Sequence, residues 1–205
     1  MSIIKLSNNG VKNATAFGSI TTSGAMTFIK KLTASSSATL SFVDGSSDVV
    51  LDNTYKEYLF TFNNIHAATQ GGDFQFNFTT DGTNYNIAKT TTMIRTYHGE
   101  DGSSAGQAYY GSLDLAEGTG FQPLFGDINN GNDDSGSGYM QLFNPSSTTF
   151  VKHYLSNLQI SHETPRSMHF LSAGYGNTTS ALTGVQFKFD SGNIDAGDIC
   201  LYGIN

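Results

Sequence analysis

Asp127, Asn129, Asp133 and Asp134 fall within the short run Asp127-Ile128-Asn129-Asn130-Gly131-Asn132-Asp133-Asp134. Their side chains are the hard oxygen donors that Ca²⁺ takes. The spacing departs from an EF-hand loop, because Gly131 stands at a ligand position and Gly138 replaces the bidentate glutamate at the twelfth. Two readings stay open, an irregular calcium site and a solvated turn. Gly102-Ser103-Ser104-Ala105-Gly106 matches the G-x-S-x-G pattern of a hydrolase nucleophile elbow, which needs a strand before the serine and a helix after it. The flanks Glu100-Asp101 and Gln107-Ala108 supply neither, so a flexible loop is the expectation. Five histidines (His66, His98, His153, His162 and His169) show no H-x-H or H-E-x-x-H spacing. His153, His162 and His169 would form a metal site only by converging in three dimensions. Glycoside hydrolysis needs two carboxylates facing each other across ~5 to 10 Å. Glu57, Glu100, Glu117 and Glu163 share no strand face, and no enzyme is expected.

Tyrosines carry the other candidate chemistry. Tyr109, Tyr110, Tyr139 and Tyr175 lie near sequence-predicted loops, and aromatic faces stack on the CH groups of sugars. They fit a carbohydrate-binding platform built with Asn side chains, with or without Ca²⁺. They also fit rim packing or a contact between subunits, the more ordinary role for such residues.

Composition narrows the classes. Charged residues make up 13% of the chain and hydrophobic residues 38%, and Ser, Thr, Asn and 23 Gly take the place of the missing charge. This mixture suits pleated strands joined by tight turns and suits helices poorly. The net charge is −7, and Lys30-Lys31 is the only basic pair, so neither nucleic acid nor an anionic membrane surface is an expected partner. Cys200 is the single cysteine; it sits between Ile199 and Leu201 and reads as a small buried hydrophobe. No apolar run approaches the ~20 residues of a membrane span. The first ten residues lack a signal-peptide core, so synthesis in a cytoplasm is expected.

The elements that must position these residues show a period of two. Asp73-Phe74-Gln75-Phe76-Asn77-Phe78-Thr79 places three aromatic rings on one face and polar groups on the other. Tyr58 to Phe62 and Gly184 to Phe189 repeat the pattern. Weaker versions run from Met26 to Leu32, Ala38 to Val43, Ala88 to Tyr97, Tyr139 to Phe143, Phe150 to Ile160, Met168 to Ala173 and Asp198 to Gly203. Asp81-Gly82 predicts a hairpin between the strand ending at Thr79 and the segment Tyr85 to Lys89. Leu113 to Phe125 has room for a short helical turn, although Gly118 and Gly120 interrupt it. Residues 1 to 24 read as a polar arm or irregular edge, and 99 to 138 as a long polar loop. The expected fold is all-β, one antiparallel jelly-roll β-sandwich over 25–205 with a polar N-terminal arm over 1–24. Its length and the lack of a Cys…Trp…Cys framework argue against an immunoglobulin domain.

Several blocks resemble a known group. They are Lys31-Leu32-Thr33-Ala34-Ser35-Ser36-Ser37-Ala38-Thr39-Leu40-Ser41-Phe42, Asp52 to Phe62, Leu142-Phe143-Asn144-Pro145-Ser146-Ser147-Thr148-Thr149-Phe150-Val151-Lys152, Ala173 to Ala181, and the closing stretches from Val185 to Phe189, Ser191 to Ile194 and Leu201 to Ile204. Together they are similar to virion structural proteins of tailed bacteriophages, especially those of marine bacteria and cyanobacteria. The resemblance implies a concanavalin- or jelly-roll-like sandwich displayed on the particle, as a capsid decoration or a tail or fibre component. It also implies a non-enzymatic, homo-oligomeric protein, made in the host cytoplasm, whose partners are other virion proteins and its own copies. A host surface glycan is the alternative partner. The resemblance carries no catalytic motif and implies no cofactor.

Overall fold

The computed structural model describes residues 25–205; the predicted arm, 1–24, lies outside the described residues. Twelve strands run in the order β1 (Met26–Thr33), β2 (Leu40–Val43), β3 (Glu57–Ala67), β4 (Gly72–Thr79), β5 (Lys89–Gly99), β6 (Ala105–Tyr109), β7 (Gln122–Ile128), β8 (Gly136–Phe143), β9 (Lys152–Ser161), β10 (Arg166–Gly176), β11 (Gly184–Phe189) and β12 (Ile194–Ile204). They form an eight-stranded sheet, β1-β12-β3-β8-β9-β10-β5-β6, and a four-stranded sheet, β2-β11-β4-β7. Every pairing is antiparallel. No helix occurs among the described residues, so none is long and apolar enough to cross a membrane.

Alternation dictates how the two sheets pack. Tyr58, Phe60 and Phe62 of β3 point inward, as do Phe74, Phe76 and Phe78 of β4 and Phe187 of β11, all essentially without solvent contact. Phe187 is the hub, with ring centroids 5.4 Å from Phe60, 5.2 Å from Phe62 and 5.9 Å from Phe74. Farther along, Phe76 meets Tyr154 of β9 edge-on at 4.9 Å, tying the small sheet to the added strands of the large one. Each buried aromatic contributes ~1.5–3 kcal/mol by leaving water, and favourable ring pairs add a little more. The result is a β-sandwich with one continuous aromatic core.

One irregularity positions later features. The pairing of β3 with β8 shifts register between Phe62 and Ile65, and Asn64 takes a left-handed φ of 51° there. Opposite lies Gly138, where a Cβ would come within 2.2 Å of the Asn157 carbonyl oxygen. Glycine alone admits that approach, which lets β8 stay paired to β9 while β3 bulges.

Three expectations are corrected. The region 99 to 138 is not one polar loop, because it contains β6 and β7. Neither strand advertises itself: Ala105-Gly106-Gln107-Ala108-Tyr109 lacks alternation, and Gln122-Pro123-Leu124-Phe125-Gly126-Asp127-Ile128 carries both Pro and Gly. Pro123 is tolerated because β7 is the edge of the small sheet. Leu113 to Phe125 forms no helical turn. Asp81-Gly82 does not close a hairpin, since β4 belongs to the small sheet and β5 to the large one, and the turn carries the chain between layers. Asp81 still organises that turn. Its carboxylate accepts hydrogen bonds from the Thr83 and Asn84 amides at 2.9 and 2.7 Å, which hold it well below the usual carboxylate range.

Candidate functional site

The outer face of the large sheet gathers most of the side chains that chemistry singled out. Its registers align Tyr139 (β8), Asn157 (β9), Leu171 (β10), Ile94 (β5) and Tyr109 (β6) in one row across five strands. Tyr139, Leu171, Ile94 and Tyr109 are 43%, 41%, 37% and 59% exposed, so this row is open to solvent. Two residues along each strand, on one side, lies a polar row of Ser137, Gln159, His169, Thr96 and Gln107. On the other side are Gln141, Leu155, Ala173 and Thr92. A hydrogen bond of 2.7 Å joins His169 Nε2 to Asn157 Oδ1 and stitches the polar row to the aromatic one. A depression of about 280 Å³ opens between Tyr139, Gln141, Leu155, Asn157, Leu171 and Ile94. A second, of about 180 Å³, continues along β5 and β10 past Thr96 and His169.

Charge is arranged by the same alternation. Strands β5, β6, β8, β9 and β10 contain no Asp or Glu. Their four cations, Lys89, Arg95, Lys152 and Arg166, all occupy inward-facing registers. These five strands therefore put no charged side chain of their own on the outer face except through His98, His153 and His169; carboxylates reach it only from its borders, where Glu57 accepts from Gln141 and Asp114 from the Tyr109 hydroxyl.

Three of the four tyrosines proposed as a platform thus share one face. Tyr175, whose ring lies 6.0 Å from His153, sits farther along it. Tyr110 does not join them. It turns inward, 6.3 Å from the Phe170 ring and 3.8 Å beneath the Arg95 guanidinium. Its hydroxyl donates to Asp127 Oδ2 at 3.2 Å, and His162 Nε2 approaches the same oxygen at 3.8 Å. The neighbouring His162 ring, and then the Tyr110 hydroxyl, hold the Asp127 carboxyl below the usual range against the opposing effect of burial. Asp73 lies next to this group and accepts the Asp127 amide at 3.2 Å. Burial, and then the neighbouring Asp190 carboxylate, push the Asp73 carboxyl up to about 6.

The oxygen-donor residues of the 127–134 segment part company. Asp127 is committed to Tyr110 and His162, and Asn129 Oδ1 caps the Asn130 amide at 3.0 Å. Asp133 and Asp134 border a separate depression with Asn64 and His66. Among the described residues no three His, Cys, Asp or Glu side chains are placed to hold a metal ion together. His153 and His169 face outward on the large sheet while His162 pairs with Asp127, so those three do not converge. Ser104 lies in the turn from β5 to β6, where its carbonyl accepts the Gly99 amide at 2.7 Å and no helix follows. Glu57 accepts a 2.6 Å hydrogen bond from Gln141 on the outer face, whereas Glu100 lies in the β5–β6 turn and Glu163 beyond β9.

Two lysines are the least expected features of the interior. Lys89 donates to Asn77 Oδ1 at 2.5 Å and to the Ile87 carbonyl at 2.7 Å, and Lys152 donates to the Phe150 carbonyl at 2.7 Å. Both are fully buried on either side of Gly176, and among the described residues neither has a carboxylate in salt-bridge range. Burial pushes the Lys89 ammonium down to about 7 and lowers Lys152. Comparison with protein-family models, curated proteins and solved structures found no match.

Proposed function

We propose that this chain is a non-enzymatic virion structural protein of the tailed-bacteriophage kind, a jelly-roll domain displayed on the particle and assembled through contacts between its own copies. The strand order carries the reading. With β5, β6, β9 and β10 set aside, β1-β12-β3-β8 faces β2-β11-β4-β7. That order fits two interlocked Greek keys and so supports the jelly-roll reading, an arrangement on which capsid and lectin domains are built. The four remaining strands widen one sheet without disturbing it. The resemblance in sequence blocks to phage virion proteins points the same way.

Self-association has a surface suited to it. Among the described residues nothing pairs with the β1 edge of the large sheet, which exposes Met26 (51%) and Phe28 (57%), with Phe28 edge-on to Tyr202 at 5.6 Å. An open edge with apolar side chains is a template for a second copy. Light scattering after size exclusion is expected to give a closed oligomer, shifted toward monomer by Phe28→Ser with Met26→Ser. A strictly monomeric protein that is also missing from purified particles would overturn the proposal.

A further inference from the structure

We infer that the outer face of β8, β9, β10, β5 and β6 is a binding site for an uncharged polysaccharide chain, lying across the strands along the Tyr139–Tyr109 row. This goes beyond assembly and uses a different part of the large sheet from the β1 edge.

The class of ligand follows from what the face offers. An anionic polymer would find no Lys or Arg there, because all four cations of these strands point inward. A basic partner would find no carboxylate on these strands, and the two that border them are already engaged, Glu57 by Gln141 and Asp114 by the Tyr109 hydroxyl. A purely apolar partner would bury the amides and hydroxyls of the polar row and strand their hydrogen bonds. A neutral sugar chain answers both rows at once. Its CH faces stack on Tyr139 and Tyr109, and its hydroxyls exchange hydrogen bonds with Asn157, Gln159, His169 and Gln107. The depression between Tyr139 and Leu171 gives this flat surface a place to seat one unit. The two tyrosines stand four strand spacings apart, about 19 Å, so the site takes a chain rather than a single sugar.

Affinity electrophoresis tests it, running the full chain through native gels that contain soluble β-glucan, galactomannan, xylan, alginate or polygalacturonate. Retardation is expected in at least one of the three neutral gels and in neither acidic one. Tyr139→Ala and Asn157→Ala are each expected to weaken it about tenfold. Both side chains are on the surface, and an unchanged melting temperature and oligomeric state will show that fold and assembly survive. Three results would overturn the inference: no retardation in any neutral gel, retardation in the acidic gels only, or undiminished retardation of a folded Tyr139→Ala, Asn157→Ala double variant. Because the β1 edge is untouched, the oligomer measurement succeeds or fails independently of this one.

Discussion

Lys89 and Lys152 sit about 10 Å apart across two strand spacings, each sealed between the sheets beside Gly176. A buried ammonium satisfied only by carbonyl oxygens costs stability, because desolvation is repaid by hydrogen bonds but not by an opposite charge. In the unfolded chain Lys89 keeps its proton up to about pH 10.5, while in the fold it keeps it only to about 7. Between those values the unfolded state holds the extra proton, so stability rises with pH; below 7 the penalty stands in full. At ~1.4 kcal/mol per unit, the upper limit of that penalty is ~5 kcal/mol. Lys89→Met removes it, and Asn77 Oδ1 keeps its 2.8 Å hydrogen bond from the Phe78 amide. Urea midpoints at pH 6.5, 8 and 9.5 are expected to climb for the wild type and to stay flatter and higher for the variant. A wild-type midpoint that falls over this range would contradict the account. Above pH 10 the sign reverses, since burial raises Tyr58 and Tyr154 and the unfolded chain ionises first.

At the scale of the element, the alternating runs were plain in the sequence and the rest was not. The triple-aromatic stretch of β4 and the Val185, Phe187, Phe189 alternation of β11 identify both strands and their buried face. β6 and β7 escaped because an edge strand needs neither strict alternation nor freedom from Pro and Gly. The exposed aromatic row was legible only in part. Tyr109, Tyr139 and Tyr175 stand out by type, but Asn157, Leu171 and Ile94 acquire meaning only when register aligns them, and register is a property of pairing rather than of any one segment. Within the core, Phe187 joins both sheets through rings on β2, β3 and β4. Phe187→Ala is expected to cost about 3–5 kcal/mol in a denaturant titration. A loss below about 1 kcal/mol would mean that the layers are held elsewhere.

Over the whole molecule, the two sheets are unequal partners. The small sheet lies over the first part of the large one, and β7 reaches across toward β9 and β10. Beyond that, β5 is paired over Ile94 to His98 by β6, and nearer its start by the irregular continuation 110–118. That stretch is fastened by the Tyr110 amide on the Met93 carbonyl, reciprocal bonds between Lys89 and Gly118, and the Leu115 amide on Thr91 Oγ1. Thr91 Oγ1 in turn donates to Gln122 Oε1 at 2.5 Å.

This rim has a kinetic consequence. Irregular backbone rather than a strand ladder fastens it, and it pairs with β5 at the buried Lys89, so its brief detachment would wet Lys89 without separating the layers. Amide exchange followed by mass spectrometry should then show residues 110–118 trading hydrogen orders of magnitude sooner than β4 and β11. Their exchange should quicken as acid recharges the lysine below pH 7, after allowance for the intrinsic chemistry of each amide. One end of the sandwich would behave as a solid and the other as a hinged seam.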